Sequence, residues 1–99
     1  MKVNICGIPH EIIEAKDTFD LDTHFGQIDY KSCRICINED MPSAIKKATI
    51  CHEIMHGILV HIGRGDLSND EVLVTSLGNA VAQTFNIKFM GESDKKWNG

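Results

Sequence analysis

The chain reads as an α+β domain, a small antiparallel sheet of hairpins packed on two or three helices. Three observations point there. Apolar and polar residues alternate over residues 2–15 and again over 25–37, the period of half-buried strands. Residues 42–62 instead repeat their apolar positions at helical spacing, and residues 69–85 do so again. Strands therefore come first and helices follow, which is the α+β order rather than the alternating α/β one.

At 99 residues there is room for one modest core, expected within residues 1–90, with residues 91–99 as a polar tail holding only Trp97 as an anchor. Hydrophobic content of 42% and charged content of 24% are those of an ordinary globular chain. A formal charge of −4 gives no basic footprint, so direct nucleic-acid binding is not expected. No apolar run has membrane-spanning length, and the start, Met1-Lys2-Val3-Asn4-Ile5-Cys6, lacks the pattern of a signal peptide. A cytoplasmic protein with reduced Cys6, Cys33, Cys36 and Cys51 is the expectation; its oligomeric state is not legible.

In the first hairpin Val3 and Ile5 face Ile12 across a turn near Gly7-Ile8-Pro9. Residues 16–24 read as a solvated loop. Asp17, Asp20 and Asp22 lack the spacing, Gly and Glu of a calcium loop. The second hairpin has Ile28 and Tyr30 on one arm, Lys31-Ser32 as the turn, and Cys33, Ile35 and Ile37 inward on the return arm. Cys33 and Cys36 have C-x-x-C spacing, but on a strand they point to opposite faces and are read as ordinary strand residues. The first long helix is expected from about Pro42 to Ile62, with Asp40 or Met41 as N-cap and Gly63-Arg64-Gly65 as the stop. Ile45, Ala48, His52, Met55, His56 and Leu59 form one stripe; Ile50, Ile54 and Ile58 form another on nearly the opposite side. For the next helix, Ser68 and Glu71 fit a capping box. Its Gly78 and Ala82 thin one face, so that a neighbouring helix can approach.

The chemistry lies in His52-Glu53-Ile54-Met55-His56, the His-Glu-x-x-His pattern of zinc hydrolases. Residues four apart on a helix are turned by about 40° and separated by about 6 Å, so both imidazoles can meet one ion. Glu53, turned about 100° from His52, can act as general base on a water held there. As buried core groups, the two rings would instead need partners for four nitrogens on an apolar stripe. One Zn²⁺ is therefore expected on His52 and His56. For the third ligand the candidates are Glu71, Asp70, His61 and a cysteine. Glu71 is preferred because it opens the second helix on the thin face, although the capping box offers it a purely structural role. His61 is turned about 180° from His52, and Asp70 about 100° off the Glu71 face. Tyr30 and His61 are further candidates for a donor to the reacting oxygen, or simply structural.

With this pentapeptide on a first helix, an acidic residue heading a second, and a small sheet ahead of both, the chain resembles the gluzincin metallopeptidases. It is most similar to the short phage and mobile-element members of the ImmA/IrrE type. The resemblance covers roughly residues 25–85, and only the pentapeptide is specific. It departs where Val72-Leu73-Val74 follow Glu71. It implies a zincin-like domain, one zinc, and hydrolysis of a peptide bond in a cytoplasmic protein such as a phage-type repressor. Two readings compete. One is a small regulatory or interaction module with a structural or vestigial zinc; the other is a module built on the four thiols.

Overall fold

The computed structural model describes residues 1–16 and 25–85. The expected residue 16–24 loop (all but Lys16) and the residue 91–99 tail lie outside that range. Four strands and three helices follow in the order β1 (Lys2–Ile5), β2 (Ile8–Ala15), β3 (Gly26–Asp29), β4 (Arg34–Asn38), α1 (Ser43–His61), α2 (Gly65–Ser68) and α3 (Glu71–Thr84). The domain is thus α+β. No helix among the described residues is long and apolar enough to cross a membrane.

Both hairpins form. β1 and β2 pair antiparallel through a two-residue turn at Cys6 and Gly7, with φ of 52° and 83°. Positive φ at both positions matches the right-handed twist of the strands. β3 and β4 also pair antiparallel, closed by Asp29, whose carboxylate accepts from the Lys31 and Ser32 amides. These bonds hold the exposed Asp29 carboxyl below its ordinary pKa, the Ser32 side chain contributing most.

The sheet as a whole is mixed rather than antiparallel. Its order is β1-β2-β4-β3, and β2 runs parallel to β4, pairing Ile12 with Ile35 and Glu14 with Ile37. Burial explains the order. Ile35, Cys36 and Ile37 are all buried, which suits a strand flanked on both sides, whereas β3 is only half-buried and takes the edge. Cys33 sits in the turn at φ 54° instead of starting the inward row, and Cys36, though buried, alternates with the inward Ile35 and Ile37.

Ile5, Ile12, Ile35, Ile37 and Ile50 form the core, and Ile54 and Ile58 of α1 pack onto it. The second apolar stripe of α1 is therefore the one that faces the sheet. Gly57 lets it come close: a Cβ there would lie 3.0 Å from the Ile5 side chain and 3.2 Å from that of Ile28. Lys46 of α1 pairs with Glu14 of β2 at the rim.

The N-cap of α1 is Pro42, with no side-chain cap bond, in place of Asp40 or Met41. Its carbonyl accepts from both Ile45 and Lys46, and its fixed φ suits entry into a helix. At the other end the Gly63 amide donates to Val60 and the Arg64 amide to Leu59, with Gly63 at φ 84°. This Schellman closure ends the helix where its glycines predict.

Candidate metal centre

α1 presents His52, Glu53 and His56 to a groove between itself, the edge strand β3, and α3. Gln27, Ile28 and Tyr30 line one wall, and Glu71, Thr75 and Asn79 the other. The opposing wall comes close because of Gly78. A Cβ at that position would lie 2.9 Å from His52 Cα and 3.0 Å from His52 N, so only glycine allows this crossing. The thin face read from Gly78 is thus the face against α1, and it brings the head of α3 over the two histidines.

Glu71 stands at that head. One of its oxygens is 3.2 Å from His52 Nε2 and the other 3.1 Å from His56 Nε2. The donor atoms of His52, His56 and Glu71 all lie within 4.8 Å of one another, and no further His, Cys, Asp or Glu joins this group among the described residues. The capping role falls elsewhere. Asp70 is the N-cap of α3, its carboxylate accepting from the Leu73 amide at 3.1 Å. The Ser68–Glu71 capping box does not form. Residues 65–68 make a short helical turn of their own. Asp70 is therefore occupied as a cap, and Glu71 is released to face the imidazoles.

Ser68 has a different partner. Its buried hydroxyl lies 2.9 Å from His56 Nδ1 and is also the side-chain hydrogen-bond partner of Tyr30. Thr75 Oγ1 lies 3.4 Å from His52 Nδ1. Each ring thus has a hydroxyl at its outer nitrogen and a carboxylate oxygen at its inner one. The sequence points to neither hydroxyl as a site residue, and it offers Ser68 only as a helix cap. Thr75 sits four residues after Glu71 on one helical face and was legible in principle; nothing local points to Ser68.

Glu53 is only 6% exposed yet reaches the groove. Burial, and then the nearby Glu71 carboxylate, raise its pKa to about 7. Burial and the neighbouring His56 lower the pKa of His52, against the opposing pull of Glu71. Tyr30 is pushed above its ordinary value by burial, a shift that the Ser68 hydrogen bond opposes.

The remaining candidates lie elsewhere. His61 stacks edge-on against His10 and Tyr30, with ring centroids 5.6 and 6.4 Å away. Cys51 is buried on α1, Cys36 is buried on β4, and Cys6 and Cys33 sit in two different turns. Burial raises the thiol pKa of both Cys36 and Cys51. The four thiols do not form a cluster.

No family model, no curated protein and no solved structure matches the chain.

Proposed function

We propose that this chain is a zinc-dependent peptidase of gluzincin type, with His52, His56 and Glu71 as zinc ligands and Glu53 as general base. The observation that supports it most is the convergence of the Glu71 oxygens on both Nε2 atoms at 3.1–3.2 Å. Four ligands held tetrahedrally at about 2.1 Å from zinc are about 3.4 Å apart, so the two imidazole–carboxylate spacings match a zinc triad, and the set as a whole, within 4.8 Å, would close slightly around the ion. The donor types fit as well: two imidazoles and a carboxylate, with both outer nitrogens backed by hydroxyls. Three protein donors beside a groove favour a catalytic over a closed structural site.

A zinc ion bound there would supply Lewis acidity, making a water more acidic and drawing charge from a substrate carbonyl. Glu53, buried and poised near neutrality, accepts the proton of the attacking water on a carboxylate oxygen. It returns that proton to the amine nitrogen as the peptide bond breaks. β3 is the outer strand of the sheet and its Gln27 and Ile28 line the groove, so an extended substrate can align its backbone there. By resemblance, the domain is zincin-like and of ImmA/IrrE type, with a repressor-like protein as substrate.

The test is a zinc titration alongside a peptidase assay on an unstructured protein substrate. Glu53→Gln should keep zinc and lose hydrolysis; His52→Ala should lose both. Hydrolysis retained in Glu53→Gln would remove the proposed mechanism.

A further inference from the structure

Ser68 is a buried hydroxyl at the metal centre, and it does not cap α3. It closes the short turn α2, and that turn is set by the Schellman end of α1 and by an Arg64–Asp66 ion pair. Its side chain is 7% exposed and lies 2.9 Å from His56 Nδ1.

We infer that Ser68 is a positioning residue for the metal centre, switching its hydrogen bond with His56 Nδ1 from donor to acceptor as His56 takes up zinc. This rests on the zinc-site reading above. Without zinc, His56 Nε2 faces a Glu71 oxygen at 3.1 Å, which holds the ring proton at Nε2. Nδ1 then bears a lone pair, and the Ser68 hydroxyl donates to it. When Nε2 coordinates zinc, the neutral ring must carry its proton at Nδ1. Nδ1–H then donates to Ser68 Oγ. A hydroxyl serves both states because it is one donor and two acceptors on a rotatable bond, whereas a carboxylate or a carbonyl can only accept. The Tyr30 phenol sits against the same hydroxyl, so the groove wall and the ligand are joined through Ser68. His52 has a looser arrangement, with Thr75 Oγ1 at 3.4 Å, near the limit of a hydrogen bond.

The experiment uses the full chain with zinc alone, measuring affinity against a competing chelator and the melting temperature of the metal-free protein. Ser68→Ala should weaken zinc binding by about 10- to 100-fold, the usual cost of losing a ligand's outer partner, and leave the metal-free melting temperature nearly unchanged. Ser68→Thr, which keeps a hydroxyl, should recover most of the affinity. Imidazole nitrogen chemical shifts should move the His56 proton from Nε2 to Nδ1 on zinc addition to the wild-type protein. Zinc affinity in Ser68→Ala within about twofold of wild type overturns the inference and leaves the site standing. A loss of affinity matched by a loss of metal-free stability assigns Ser68 to packing and also overturns it. Wild-type protein that binds no zinc overturns the site reading itself.

Discussion

Two pairs of histidines lie on or against α1, and they differ in one respect that separates a site from a core. The His52 and His56 rings have centroids 4.9 Å apart; those of His10 and His61 are 5.6 Å apart, and both pairs meet edge-on. In the first pair all four ring nitrogens face an oxygen, from Glu71, Ser68 or Thr75. In the second, His10 Nδ1–H donates to the Ile8 carbonyl at 2.8 Å, while both Nε2 atoms are buried without a partner among the described residues. Proximity of imidazoles is thus not what marks the metal centre. The carboxylate delivered by α3 and the opening to a groove mark it.

The largest effect that sharpens this contrast is on zinc itself. Removing any of His52, His56 or Glu71 should cost more zinc affinity than the roughly 100-fold that accompanies loss of an outer-shell partner, as read by chelator competition. His10→Ala should leave zinc affinity unchanged. It should instead lower folding stability by about 2–3 kcal/mol in urea denaturation, because a ring 1% exposed against the sheet is lost. If His10→Ala abolished zinc binding, the separation of the two pairs would fail.

Glu53 gives the next effect, on the metal-free protein. Its folded pKa of about 7 lies above the ordinary value of 4.5, so the folded state binds the proton more tightly than the unfolded one. This contribution to stability should be full below about pH 4.5 and lost as pH rises through 7. Glu53→Gln removes that decline and should be more stable than wild type at pH 8, by about 3 kcal/mol. Equal pH slopes for the two proteins would contradict a buried, disfavoured carboxylate.

Gly78→Ala should have the smallest effect. Its Cβ would press on the His52 backbone and cost about 1–2 kcal/mol, with a modest weakening of zinc binding as Glu71 is moved outward. Unchanged stability would mean that the helices can separate without loss.

Local chemistry made much of this legible. The two hairpins, the span of α1 and its stop at Gly63 follow from alternation, helical period and one left-handed glycine. The approach of α3 followed from Gly78. The order of the sheet was not legible, because placing β4 beside β2 depends on long-range pairing. Only the unbroken apolar run Ile35-Cys36-Ile37 hints at a central strand. The cap role that the sequence offers Ser68 fails for a similar reason. Both Ser68 and Asp70 can cap a helix, and the choice was made by a four-residue turn whose existence depends on how α1 ends. Phe85 shows a further limit: it shares the face of Val74 and Gly78 by period, yet it is 58% exposed at the end of α3, beyond the contact with α1.

The most direct measurement is zinc stoichiometry and affinity in two double variants, His52→Ala/His56→Ala and His10→Ala/His61→Ala. One zinc per chain in the wild type, lost in the first variant and kept in the second, is the predicted result. Zinc retained after His52 and His56 are both removed would contradict it.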